Sequence, residues 1–218
     1  METKKNNHLH SKTGFTLIEM LMALAISSIV MGAIYSVFTI TNKNFTTQNV
    51  ASGVQQSLRS AIGMMSRDIR LAGLDPTGTD NFGIKYASPD EIRLTQDSID
   101  SGTGVFNGVV DEANFEDIMY KFDFDATSGQ IKQTLYKDKS SENSAVLIGN
   151  IEAPSFFAYL DAANNDLIDP VLGRVPDDKL TDIRSVEITV TIEEPAGRDE
   201  PVSRTLIRKV ECRNLAFK

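Results

Sequence analysis

Residues 12–38 read KTGFTLIEMLMALAISSIVMGAIYSVF. From Phe15 to Asn42 the only charge is Glu19, and Met20–Phe38 is an uncharged run of 19 residues. As a helix, the 24 residues Phe15–Phe38 extend about 36 Å at ~1.5 Å per residue, enough to cross a hydrocarbon core of ~30 Å. Upstream, residues 1–14 carry Lys4, Lys5 and Lys12 against Glu2, a net of +2. A basic flank ahead of an apolar span predicts a cytoplasmic N-terminus, with everything after Lys43 on the far side of the membrane. The alternative is an ordinary secretory signal. Ala23-Leu24-Ala25 has the letters of a signal-peptidase site, but only eight residues separate it from the polar leader, and Glu19 interrupts them.

The helical pattern continues beyond the apolar span. No proline occurs before Pro76, and Val54, Leu58, Ala61, Ile62, Met65, Ile69 and Ala72 recur at spacings of three and four. Gln55, Ser57, Arg59, Ser66, Arg67 and Arg70 are expected on the other faces. Arg70 followed by Gly73 reads as a helix end, where cations and a left-handed glycine are favoured. Phe15–Ala72 is therefore expected as one helix of 58 residues, about 87 Å if unbroken at ~1.5 Å per residue. Gly32, Gly53, Gly63 and the segment 42–47 are candidate bends.

The amphipathic half needs a surface to cover it, and the remaining sequence reads as β. Ile118, Tyr120, Phe122 and Phe124 alternate with Met119, Lys121 and Asp123, and the turn 125–129 leads into 130–136 as a hairpin. Ser185–Glu193 places Val186, Ile188, Val190 and Ile192 on one face, with Glu187, Thr189 and Thr191 on the other. Ser203–Cys212 returns with Leu206, Val210 and Cys212 sharing a face. Shorter strands are expected at Ile84–Ala87, Glu91–Thr95, Ala145–Ile148 and Phe156–Leu160, and surface loops at Leu74–Phe82, Gln96–Gly108 and Lys137–Ser144. The expected class is α+β: a long N-terminal helix whose second half packs on one antiparallel sheet.

Composition removes several functions. The 218 residues carry 22 basic and 30 acidic side chains, a formal charge of −8 and a pI near 4.8, which argues against nucleic acid as the main partner. Cys212 is the only cysteine, so an intrachain disulfide and a cysteine-rich zinc site are excluded. It reads as a small buried residue on an apolar strand face, with an intermolecular disulfide as the alternative. The two histidines, His8 and His10, both lie in the polar leader. Asp161–Asp169 has the acidity of a calcium loop. However, Ala163 and Asp166 occupy the third and sixth positions, where an EF-hand wants an oxygen ligand and a glycine, so a solvated turn is favoured. Asp123 and Asp125 flank the hairpin and are expected to face solvent. No nucleophile elbow, phosphate loop or zinc-protease helix is present.

The junction Lys12-Thr13-Gly14-Phe15-Thr16-Leu17-Ile18-Glu19 resembles the signal of type IV prepilins and pseudopilins. The resemblance implies a prepilin peptidase that cuts between Gly14 and Phe15 on the cytoplasmic side and N-methylates Phe15. It also implies that Glu19 pairs with the charged amine of an adjacent subunit during assembly; the alternative is a glutamate that snorkels at the membrane edge. Gly14, lacking a Cβ, suits passage of extended backbone through a narrow cleft. The stretch Met65–Gly73 (MSRDIRLAG) and the ending Arg213-Asn214-Leu215 further resemble PilW-type minor pilins. That resemblance implies a pilin-like layout: a cleaved leader at 1–14, an assembly helix at 15–42, an amphipathic continuation at 43–73 and an exported β-rich domain at 74–218. Implied partners are the peptidase, other major and minor pilins, the inner membrane and a tip adhesin, with no cofactor and no enzyme activity. The implied location is the inner membrane, with the C-terminal domain periplasmic, and the pilus after assembly. A minor pseudopilin of a type II secretion system uses the same signal and scaffold, and a membrane-anchored enzyme or receptor is the third reading. Without residues 1–14, the chain keeps 204 residues, a formal charge of −10 and no histidine.

Overall fold

The computed structural model describes residues 14–79, 82–100, 103–110, 116–124, 129–138, 141–197 and 200–217. The chain divides into two compact units, Met1–Thr46 and Thr47–Lys218. The leader, with His8 and His10, lies outside the described residues, as do the hairpin turn 125–128 and Asp125.

Helix α1 runs from Leu17 to Leu71, within two residues of the expected span at its start and one at its end. Helical structure is kept through Gly32, Gly53, Gly63 and the segment 42–47. In the first unit the helix is exposed on nearly every face: Leu17, Ile18, Met20, Leu21, Leu24 and Ile26 through to Phe38 and Ile40 all stand out from the protein. A helix that is apolar all round needs lipid or other helices as its solvent. Three of its hydroxyls are satisfied internally. Ser28 Oγ donates to Ala25 O, Thr39 Oγ1 to Ser36 O and Thr41 Oγ1 to Val37 O, each at 2.8 Å. In hydrocarbon an unpaired hydroxyl is costly, and this back-bonding removes that cost.

In the second unit the periodic residues Val54, Leu58, Ala61, Ile62, Met65 and Ile69 are buried in one hydrophobic core with the sheet. Each fully buried aliphatic side chain of this size contributes roughly 1.5–3 kcal/mol. Ser66, expected on a polar face, is buried instead; its hydroxyl donates to Ile62 O at 2.5 Å, so it enters the core with its polar group satisfied. The helix ends as its sequence predicts. Gly73 takes φ +77°, and its N–H donates to Thr95 O at 3.0 Å.

The sheet is an antiparallel meander of seven strands in sequence order: β1 (Gly83–Ala87), β2 (Glu91–Thr95), β3 (Asp117–Phe124), β4 (Gly129–Asp138), β5 (Ser141–Leu160), β6 (Ser185–Glu194) and β7 (Val202–Glu211). Two expectations fail at β4 and β5. The segment Lys137–Ser144 is not a loop: Tyr136 pairs with Glu142 and Asp138 with Ser141, so both strands run into it. Polar side chains there do not prevent the backbone groups from pairing. The strands expected at Ala145–Ile148 and Phe156–Leu160 are one strand of 20 residues, with register shifts against β4 and a further shift against β6 between Glu152 and Phe156. Pro154 falls in that shift and has no N–H for the ladder. Ser155 takes over there, its Oγ donating to Glu152 O at 2.7 Å and accepting Thr191 N–H at 2.9 Å.

In β6, Thr189 and Thr191 are buried along with the apolar face, because β6 lies between β5 and β7 and its neighbours cover both sides. Phe122, Phe157 and Tyr159 form an aromatic series, with ring centroids 4.7 and 6.5 Å apart. The described parts of Leu74–Phe82 and Gln96–Gly108 carry no helix or strand, as expected. Short 3-10 turns at Asp177–Asp182 and Arg213–Phe217 were not foreseen.

Candidate assembly and processing site

Gly14, Phe15 and Thr16 precede the first turn of α1. A Cβ built on Gly14 would meet nothing within 4 Å, so among the described residues neither packing nor a close approach requires glycine there. The Phe15 side chain is 87% exposed and contributes nothing to the core.

Thr16 and Glu19 meet across the first turn. Thr16 N–H donates to Glu19 Oε2 at 2.9 Å, Thr16 Oγ1–H donates to the same oxygen at 3.0 Å, and Glu19 N–H donates to Thr16 Oγ1 at 3.3 Å. This is a reciprocal capping box, a threonine at the N-cap and a glutamate three residues on, which satisfies two orphan amides at the helix start. The carboxylate also sits where the helix dipole favours negative charge. Reading Glu19 only as a charge overlooked Thr16. The signal was present as T-x-x-E immediately ahead of an apolar run.

The two later blocks singled out by resemblance meet in space at the other end of the helix. Asn214 Nδ2 donates to Arg70 O at 3.2 Å and Leu71 O at 3.4 Å, capping the last carbonyls of α1. Leu215 is buried, and a Cβ on Gly73 would stand 2.7 Å from its Cδ2. One turn earlier, Asp68 is buried, accepts the Tyr120 hydroxyl at 2.6 Å and pairs with Arg67 Nε at 3.0 Å. The letters RDIRLAG and RNL are thus the two sides of one anchor that fixes the helix end to the sheet. Asp68 was not expected in the core, because its partner lies 52 residues away in sequence.

Other candidates resolve into local structure. Asp161 Oδ1 accepts the N–H groups of Ala163 and Asn165, both at 2.8 Å, and Asp169 Oδ1 accepts those of Val171 and Leu172 at 2.7 and 3.1 Å. The Asn165 side-chain amide, which donates to Asp161 Oδ2 at 2.9 Å, together with these backbone bonds holds the Asp161 carboxyl below the usual aspartate range, and the Leu172 and Val171 N–H groups do the same for Asp169. The acidic loop therefore uses its carboxylates to close its own turns, and among the described residues no group of three acidic, histidine or cysteine side chains is placed to hold a metal ion. Cys212 is buried, and burial pushes its thiol up to about 12, so it remains protonated at neutral pH and is a poor nucleophile. Asp123 lies on β3 and is partly buried.

Residues 9–35 match the prokaryotic N-terminal methylation motif. No curated protein matches the chain. The motif, set on an exposed apolar helix that leads into an α+β domain, supports a type IV prepilin-like protein. Proteins with this motif are in general structural subunits, and the motif implies a prepilin peptidase and other pilins as partners. The apolar helix is long enough to cross a membrane, consistent with anchoring there.

Proposed function

We propose that this chain is a minor pilin, of the PilW type, that helps to initiate or cap a type IV pilus. The observation that carries the proposal is the methylation motif at residues 9–35 continuing into a helix whose apolar surface has no cover within its own unit. In this reading residues 1–14 are a cytoplasmic leader. The peptidase cuts between Gly14 and Phe15, and Phe15 carries the methyl group. The open space around Gly14 supports this role, because the demand for glycine then comes from an outside cleft and not from the fold. Glu19 pairs with the charged amine of a neighbouring subunit's first residue; the bilayer holds the helix 15–42 until that partner arrives, and the rest of the chain stands in the periplasm. A tip adhesin is the further partner of the domain 74–218. The RDIRLAG and RNL blocks favour this reading over a minor pseudopilin of a secretion system.

The test has two arms. The N-terminal mass of the protein extracted from membranes is expected to be that of a chain starting at N-methylated Phe15; an intact Met1, or a start near Ile26, overturns the assignment. Deletion is expected to remove pili and leave type II protein secretion intact. The reverse phenotype moves the chain to the secretion machine.

A further inference from the structure

Of the two outer strands of the sheet, one has cover and the other does not. At β1, Ala87 O accepts the N–H of Val175, and the segment leading into the 3-10 turn Asp177–Asp182 lies alongside. Among the described residues no strand pairs with the outer edge of β7. The parity of that edge can be read from one bond. Cys212 N–H donates to Arg184 O, and the register pairs Val186 with Val210 and Ile188 with Arg208 without a shift. In an antiparallel ladder alternate residues turn both backbone groups to the same side, so Ser203, Thr205, Ile207 and Lys209 turn theirs away from β6. The Ile207 side chain is 60% exposed on the outer face.

The core-side flank of this edge is basic. A groove of about 400 Å³ lies between the end of α1 and β7, lined by Arg67, Arg70, Arg208 and Arg213 and by no carboxylate. Arg67 is held by Asp68; among the described residues Arg70, Arg208 and Arg213 have no acidic partner. Such a concentration of guanidinium groups in a chain of net charge −8 is a local exception that net charge hides.

We propose that the β7 edge is a docking site for an extended acidic segment of a different subunit, added as an eighth strand. Main-chain hydrogen bonds from residues 203–209 supply the pairing. Carboxylates at alternate positions of the incoming strand reach Arg70, Arg208 and Arg213, where guanidinium–carboxylate bonds are bidentate and charge-assisted. An apolar residue on its other face covers Ile207. A second copy of this chain does not fit the site, since β7 itself carries Arg204, Arg208 and Lys209 against the one carboxylate of Glu211 and so presents no run of carboxylates to the arginines. That the occupant is a neighbouring filament subunit rests on the pilin reading above.

The test uses the full-length chain in cells that assemble its filament, with Ile207 replaced by a benzophenone amino acid. Illumination is expected to yield an adduct with another subunit bearing a methylation motif, at a peptide rich in Asp and Glu. The double variant Arg70→Glu, Arg208→Glu is expected to lower the adduct at least tenfold, while Arg70→Lys, Arg208→Lys keeps at least half. An adduct only with this chain itself or with nucleic acid, or one unaffected by charge reversal, overturns the proposal. So does the absence of any adduct from position 207 when the same probe at Val30 cross-links. Maturation at Phe15 is measured in the same samples: its failure overturns the pilin reading, whereas missing adducts with maturation intact overturn the docking edge alone.

Discussion

Glu19→Val is expected to give a chain that is still cut and methylated at Phe15 but enters the filament, or its initiating complex, at least tenfold less. A central carboxylate costs ~2.5–3.5 kcal/mol on insertion scales, and pairing with a cation in a low-dielectric surrounding recovers much of that. A tenfold loss corresponds to about 1.4 kcal/mol, well inside what such a pair supplies. The capping box complicates the simple experiment, because valine removes the bond from Thr16 N–H as well as the charge. Thr16 remains as the N-cap, and the lost reciprocal bond costs roughly 0.5–1.5 kcal/mol by itself. Glu19→Gln separates the two roles: glutamine retains the acceptor that a capping box needs and loses only the charge. If incorporation falls with both variants, the charge pair is responsible. Normal incorporation of Glu19→Gln would sink that role and leave Glu19 as a helix cap. Quantitative mass spectrometry of sheared filaments against the membrane fraction gives the ratio.

The second large effect is expected at Gly73. Substitution by valine meets two independent penalties: φ is +77°, and a Cβ lies 2.7 Å from Leu215 Cδ2. A non-glycine residue in the left-handed region costs roughly 1–2 kcal/mol, and overpacking a filled core site costs typically ~1–3 kcal/mol. Gly73→Val should therefore lower stability by about 2–5 kcal/mol, read as a fall in the urea midpoint of the full-length chain in detergent. The double variant Gly73→Val, Leu215→Ala removes the clash and keeps the strain, so it should recover part of the loss from the valine. A midpoint unchanged by Gly73→Val would mean that the helix end is not anchored as described.

Much of this was legible in one dimension because it depends on local chemistry. The membrane length of α1, the amphipathic period from Val54 to Ala72 and the left-handed stop at Gly73 are each set by residues within a few turns of one another. The strands β3, β6 and β7 were visible for the same reason, since alternation has a period of two and needs no partner to be seen. What failed were inferences from polarity. Ser66 is polar and buried, because an i−4 carbonyl satisfies it. The described residues of 137–144 are polar and paired, because ladder bonds run between backbone groups whatever the side chains are. At the N-terminus Glu19 belongs to two patterns at once, the methylation motif and the T-x-x-E capping box with Thr16.

The sequence alone was enough to determine the apolar helix, the N-terminal methylation motif at its start, and an α+β class, because each is written in local patterns of residues. Only the tertiary structure could decide that RDIRLAG and RNL face each other, that Asp68 meets Tyr120, and that, among the described residues, one edge of the sheet is unpaired beside three arginines without acidic partners. Those are contacts across 50 to 145 residues of chain, and no local period encodes them. Net charge averages over the molecule, whereas recognition depends on where the fold collects like charges.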